Sequence, residues 1–316
     1  LNYKNGVIDG YYTSYHENGT PKYEGWVIKG DKQGPFKSFN KQGDLTNEEY
    51  YLNNDENGFS QYFNGNKKLD YEHLFEYGWL KRVTQYDSTG KVLSDNDFAN
   101  GEGTLRFKHH DGSEYITAGY KHYMRNGWYI SKYPNGQVSY MQHYTNGLKD
   151  SISKEFYVDG KLENEGTYVL GKQHGVWKYY HPNGKLHYTE TYKDGNEQGQ
   201  VLMYNDDGTL DKEINYKDGV LHGNYKIYAE NNQLAIQLNY KNGEIVSYTY
   251  EGKDGKLVTP IAVKSGKALV VGYFKNGNKS CEINFEDYIV QGVRKIYFSN
   301  GKPYIDGKRE LGDEHG

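Results

Sequence analysis

Glycine recurs along this chain at a fixed interval of 24 residues, in three interleaved series. The series are Gly136, Gly160, Gly184 and Gly208; Gly147, Gly171, Gly195, Gly219 and Gly243; and Gly175, Gly199 and Gly223. Series that share one period in this range indicate a repeat architecture. Because copies of one short unit present an extended surface, the period favours a binding protein over an enzyme.

One repeat, residues 176–199, shows how each unit folds. A short segment leads into His181-Pro182-Asn183-Gly184, and a longer segment then leads into Lys193-Asp194-Gly195. Asn-Gly between such segments predicts a hairpin turn, because both residues tolerate positive φ. Each unit therefore contains two antiparallel strands.

Alternation along the longer segment sets the fold class. One parity carries apolar residues at Leu162, Leu186, Leu210 and Leu234, and the other carries polar residues such as Glu163, His187 and Asp211. A period of two indicates a strand with one apolar and one wet face. The sequence therefore predicts an all-β fold, an elongated single-layer antiparallel sheet in which units of about 24 residues form a meander.

The period is not kept throughout the chain. We expect repeats at 1–65, irregular repeats at 66–120, regular repeats at 121–249, an irregular insertion at 250–272, and further repeats with a tail at 273–316. One interpretation of the two irregular segments is insertion or decay within a single array. The other is that they bend the array or mark a partner surface, since departures from a repeat tend to be functional.

Charge and composition exclude several classes of partner. The chain has 316 residues, a net charge of -4 with interspersed signs, and a single cysteine, Cys281. This balance argues against nucleic acid as a partner, and the absence of a long apolar run argues against direct insertion into a membrane. Because the sequence begins at Leu1 and not at Met, we expect either a removed signal peptide or a trimmed sequence.

Motifs that suggest chemistry have simpler explanations. Residues 166–172 have the glycine spacing of a phosphate loop, but Gln173 stands where Ser or Thr is needed. Adjacent histidines on a strand point to opposite faces, so His109 and His110 do not make a metal site with Asp111. The segment 95–101 lacks the closing Glu of a calcium loop. We therefore expect no catalytic residues, no metal and no cofactor.

The segments 172–180 and 180–195 resemble MORN repeats, and more closely the bacterial MORN variants labelled YwqK-type antitoxin components. The shared pattern is Tyr-x-x-Asn-Gly, a short strand that ends in Tyr, then x-x-Gly-x-x-x-Gly and an aromatic strand. It is clear over 1–65 and 120–248 and returns in 273–305. The resemblance implies antiparallel sheets that serve as interaction scaffolds. Similar bacterial proteins commonly follow export signals, which favours the periplasm or the cell surface, including lipoproteins, over the cytoplasm.

An apolar sheet face on a soluble protein generally marks an interaction site or a second layer. The predicted partner-binding face is aromatic and consists of Trp177, Tyr179, Tyr188, Tyr192, Tyr216 and Tyr240. We expect a non-enzymatic scaffold or adaptor in a bacterial assembly that binds protein partners through this face, and pairing with a second copy is left open. The alternatives are a cytoplasmic antitoxin or immunity protein that neutralises a toxin, and a carbohydrate-binding or cell-wall-binding module.

Overall fold

The computed structural model describes residues 3–310 and 313–315. Within these residues the chain consists of β-strands and short turns, with one 3-10 turn, Glu230–Asn232, and no α-helix. It divides into two compact units. Unit 1 comprises Leu1–Ser151 with Val158–Gly160, and unit 2 comprises Ile152–Tyr157 with Lys161–Gly316.

Unit 1 contains a two-stranded ladder and two antiparallel sheets whose strands follow chain order. The ladder is β1 (Tyr3–Lys4) and β2 (Val7–Ile8). The first sheet is β3 (Gly10–Tyr15), β4 (Pro21–Ile28), β5 (Asp31–Phe39), β6 (Leu45–Leu52) with the short β7 (Asp55–Glu56), β8 (Gly58–Phe63), β9 (Leu69–Glu76), β10 (Trp79–Tyr86) and β11 (Val92–Asp97). The part of the second sheet that belongs to unit 1 is β12 (Gly103–Lys108), β13 (Glu114–Lys121), β14 (Met124–Lys132) and β15 (Val138–Thr145), and the unit boundary falls within β16 (Leu148–Phe156) of the same sheet.

Unit 2 is also built from two antiparallel sheets in chain order. The first contains β17 (Leu162–Val169), β18 (Lys172–Tyr180), β19 (Leu186–Lys193) with the short β20 (Asn196–Glu197), β21 (Gly199–Tyr204), β22 (Leu210–Lys217), β23 (Val220–Tyr228), β24 (Leu234–Lys241), β25 (Glu244–Thr249) and β26 (Ile261–Ala262). The second contains β27 (Ala268–Tyr273), β28 (Lys279–Glu286), β29 (Ile289–Tyr297), β30 (Pro303–Glu310) and β31 (Asp313–His315). The predicted all-β antiparallel meander is confirmed.

Each irregular segment of the sequence contains a corner between two sheets. In unit 1 the corner between β11 and β12 brings the sheets together around Val83, Phe98, Leu105 and Ala118. In unit 2 the segment between β25 and β27 allows β27 to β29 to pack on β23 to β25, with Ile236, Leu238, Ile283 and Ile296 in the core. The meander is therefore a single layer only in part, because a second sheet removes apolar surface from water near each corner.

The glycine series lie in two kinds of turn, and the two-residue turn is not at the Asn-Gly corner where the sequence predicts it. Asp194 and Gly195 both have positive φ (53° and 85°), as a two-residue type I′ hairpin requires. At the Asn-Gly corner only Gly184 has positive φ (87°), and the β18–β19 register shifts between Tyr179 and Tyr180. This corner is a longer turn with a bulge, so the prediction that Asn183 is there to tolerate positive φ is wrong.

The asparagine of this corner instead connects neighbouring repeats. Asn183 Oδ1 accepts a hydrogen bond from the Lys185 amide (2.8 Å), and Asn183 Nδ2 donates to the carbonyl oxygen of Asp206 in the next corner (2.9 Å). The same amide-to-carbonyl bond joins other pairs of corners, namely Asn18 to Lys41, Asn135 to Val158 and Asn276 to Ser299. The asparagines therefore form part of the contact between repeats.

Replacing Asn183 by alanine should lower the free energy of unfolding by about 1–2 kcal/mol, because two hydrogen bonds are lost. Asn183→Asp is the matched variant, since a carboxylate can still accept from the Lys185 amide but cannot donate to Asp206. We expect Asn183→Asp to be less stable than the wild type and more stable than Asn183→Ala in urea denaturation. If Asn183→Asp unfolds at the wild-type urea concentration, the bond between corners contributes nothing.

Candidate functional site

The register of unit 2 places the six predicted aromatic residues on one face of its first sheet. Tyr179 lies opposite Tyr188, and Tyr188 lies opposite Met203 in β21. The pairing continues on the same face through β22, β23 and β24, and it includes Trp177, Tyr192, Tyr216 and Tyr240. We call this the inner face of unit 2.

Much of the inner face is covered by the protein itself. Trp177 is only 4% exposed; its ring lies over the backbone of Gly166 and its Nε1 donates to the carbonyl oxygen of Thr167 (3.3 Å). Tyr240 packs against the core that the second sheet closes. These two residues stabilise the unit. A partner contact at Tyr179, Tyr188, Tyr192 or Tyr216, which are half-buried, stays a prediction.

Carboxylates lie among the tyrosines of the inner face, where the alternation predicts apolar residues. The Tyr192 hydroxyl donates to Glu190 (2.7 Å), and burial together with Glu190 raises the pKa of Glu197. In unit 1 the hydroxyl groups of Tyr51 and Tyr62 both donate to Glu49 (2.9 and 3.3 Å). Counting alternate residues along the strand would identify such an acid, because Glu190 lies between Tyr188 and Tyr192 on the apolar parity. Because these tyrosine hydroxyl groups already donate to carboxylates, they have fewer hydrogen bonds to offer a partner.

The opposite face of the first sheet of unit 1 carries an exposed line of aromatic side chains. Tyr11 lies opposite Trp26, Tyr50 lies opposite Pro35, and Phe59 follows on β8 opposite Leu74. The exposed fractions are 41% for Tyr11, 52% for Trp26, 41% for Tyr50 and 48% for Phe59. We call these four residues the outer aromatic row. Alternation in the regular repeats predicts polar residues at this parity, so the row does not follow from the sequence pattern.

Three of these four positions have polar equivalents in unit 2. Counting from the start of each strand, Trp26 corresponds to Thr167, Tyr50 to Thr191 and Phe59 to Gln200. Both units therefore fold with the same strand pattern although only unit 1 has the aromatic residues. Folding does not require aromatic side chains at these positions, which indicates that the outer aromatic row has another role.

The motifs that resemble a phosphate loop or a metal site form ordinary strands, turns and ion pairs. Residues 166–172 form the end of β17, a turn and the start of β18. His109 Nε2 contacts the carbonyl oxygen of Lys132 (3.2 Å), and Glu114 pairs with Lys132 and Arg106. Over residues 3–310 and 313–315, no group of three His, Cys, Asp or Glu side chains is placed to hold a metal ion. In the same part of the chain, no helix has the length and apolar composition needed to cross a membrane.

Comparison with known proteins supports the repeat assignment. Four segments match the MORN repeat variant: residues 8–25, 173–194, 197–218 and 221–242. No curated protein matches the chain. Among solved structures, the chain is 10% identical to the crystal structure of TcdB2-TccC3-TEV, with 95% of this chain and 18% of that chain covered and a TM-score of 0.21. For the crystal structure of TcdB2-TccC3 the values are 10%, 95%, 18% and 0.18. The chain thus spans less than a fifth of these proteins, and TM-scores this low carry no argument about function.

Proposed function

We propose that this chain is a non-enzymatic interaction scaffold that binds a protein partner through the outer aromatic row of unit 1. The observation that supports it is the row itself: four aromatic side chains, each at least 41% exposed, lie on one sheet face, whereas the unit 2 equivalents of Trp26, Tyr50 and Phe59 are polar. Exposed contiguous apolar surface on a soluble protein marks an interaction site. A cell-envelope assembly in a bacterium is the proposed setting, by resemblance to exported MORN variants.

The geometry of the row favours a protein partner over a polysaccharide. The rings of Tyr11 and Trp26 meet edge to face, with centroids 5.5 Å apart and an interplanar angle of 65°. Rings at this angle do not make a flat platform on which successive sugar rings can stack. Ion pairs flank the row on the same face, among them Lys37 with Glu48 (3.8 Å). An aromatic centre with a charged rim is the usual composition of a protein–protein interface.

The cytoplasmic antitoxin remains the second candidate, since it too would bind a protein. The two candidates differ in the partner and its compartment. Identification of the captured protein distinguishes them: an envelope component supports the scaffold, and a toxin encoded beside this chain supports the antitoxin.

Exchanging three residues of the row for their polar unit 2 counterparts tests the proposal. The variant Trp26→Thr, Tyr50→Thr, Phe59→Gln should retain the fold, because unit 2 folds with these residues. Aromatic anchors at an interface typically contribute about 2 kcal/mol or more, so we expect recovery of the partner from native membranes to fall at least about tenfold. The matched control is Thr191→Ala with Gln200→Ala in unit 2, which should recover the partner as the wild type does. Equal recovery by the row variant would exclude the row as the binding surface.

A further inference from the structure

Unit 1 contains a cleft of about 510 Å³ between its two sheets, beside the corner that joins them. Aromatic side chains from both sheets line it, namely Tyr71, Phe107, Tyr115 and Tyr129. Groups that can hydrogen-bond or carry charge also line it: Asp70, Lys108, His109, His110 and Arg125. Its volume is in the range of small-molecule sites, which combine apolar walls with a few polar groups. We call it the unit 1 cleft.

Arg125 is the group that sets the charge preference of the cleft. Its guanidinium carbon lies 5.3 Å from the Tyr129 ring centroid and 5.5 Å from the Tyr144 ring centroid, and hydrogen bonds to the side chains of Tyr120 and Tyr144 also hold it in place. The other arginines of unit 1 pair with carboxylates, Arg82 with Asp95 and Arg106 with Glu114. Among the described residues, no carboxylate forms an ion pair with Arg125, although the side chain is exposed to the cleft.

A positioned guanidinium without a counter-ion favours an anionic ligand. Its planar donors match a carboxylate in a bidentate arrangement. Lys108 adds a second positive charge to the lining, and Asp70 is the one acidic group that opposes them among the described lining residues. The walls then restrict what carries the carboxylate. Aromatic rings contact the apolar face of a ring-shaped ligand, while the Tyr115 hydroxyl, the His110 imidazole and the Asp70 carboxylate offer partners for several hydroxyl groups.

We propose that the unit 1 cleft binds an acidic saccharide, with the uronic carboxylate on Arg125 and the sugar ring against the aromatic wall. The cleft volume accommodates a disaccharide. The cleft shares no residue with the outer aromatic row. Binding here and binding of a protein partner at the row are therefore separable by mutation.

Isothermal titration with the disaccharide of galacturonic acid tests the assignment. We expect saturable binding to the wild type and at least about a tenfold loss of affinity in Arg125→Gln, since the variant loses a charge-assisted bidentate contact. Arg125→Lys, which keeps the charge but not the planar donors, should fall between them. Arg82→Gln, which removes an arginine on the opposite face, should bind as the wild type does. Thermal melts establish that each variant is folded.

Two comparison ligands separate the carboxylate from the sugar. The neutral disaccharide of galactose should bind at least about tenfold more weakly than the acidic one, because it leaves Arg125 without an anion. Benzoate presents the carboxylate and a flat ring without hydroxyl groups, and it should also bind more weakly. The proposal is overturned if digalacturonate shows no saturable binding, if folded Arg125→Gln binds it equally, or if benzoate binds as tightly.

Discussion

Replacing Gly166 by alanine is expected to destabilise unit 2 by about 3 kcal/mol or more, because overpacking forces a close-packed ring out of place. An added Cβ would overlap Cδ2 of Trp177, far inside van der Waals contact. The indole cannot move away freely. It is held edge to face with Tyr168 at 5.2 Å, and its Nε1 donates to the backbone of Thr167 at 3.3 Å. Thermal or urea denaturation measures the loss.

Two variants show whether the effect belongs to this contact. Gly65→Ala is a matched glycine substitution, since a Cβ added at Gly65 would have no neighbour within 4 Å and the residue does not have positive φ, so we expect little change. Adding Trp177→Ala to Gly166→Ala removes the ring that the Cβ strikes. The double variant should then lose less than the sum of the two single losses. Additive losses would show that the ring and the glycine do not interact as described.

Acid should destabilise unit 1 through His73. Burial lowers the pKa of His73 from 6.5 to about 4, and the imidazole is packed among Tyr62, Tyr71 and Phe75. As pH falls below 6.5 the unfolded chain binds a proton that the folded chain does not, so stability is lost between pH 6.5 and about 4 and is unaffected above about pH 7. The expected contribution is about 2 kcal/mol between about pH 8 and about pH 5, and about 3 kcal/mol for the full shift.

His73→Ile isolates this contribution from other acid-sensitive groups. Ile214 occupies the equivalent position in β22, so isoleucine is compatible with the strand pattern. The raised pKa of Glu56, caused mainly by burial, acts in the opposite direction in both proteins and cancels in the comparison. The variant should lose about 2 kcal/mol less than the wild type on going from about pH 8 to about pH 5 in urea titrations. An equal loss in both proteins would mean that His73 is protonated in the folded state.

The sequence predicts the fold class and the strand parity well, because both depend on local periodicity. Two strands per repeat follow from the Asn183-Gly184 and Asp194-Gly195 turns, and the shared face of Trp177 and Tyr240 follows from counting residues. The Asn-Gly signature predicts two residues of positive φ at Asn183-Gly184, whereas the structure has them at Asp194-Gly195. Asn183 instead donates a hydrogen bond to a carbonyl group 23 residues away. A hairpin rule that considers only neighbouring residues cannot predict that contact.

The sheet pairs and the binding surfaces depend on contacts that periodicity does not encode. The packing of Ile283 on the repeat sheet follows from the corner in the irregular segment, whose direction no residue spacing specifies. The burial of Trp177 requires Gly166 on the neighbouring strand, which sequence parity alone does not reveal. The outer aromatic row was missed because parity was assigned from the regular repeats of unit 2, where Thr191 and Gln200 stand in place of Tyr50 and Phe59.

Site-specific photo-cross-linking compares the outer aromatic row with its polar counterpart within one molecule. A photoreactive phenylalanine analogue placed at Tyr50 in unit 1 should cross-link to the protein partner in intact cells. The same analogue at Thr191, the equivalent position in unit 2, should give no adduct with that partner. Equal adducts from both positions, or an adduct from Thr191 alone, would contradict binding through the outer aromatic row.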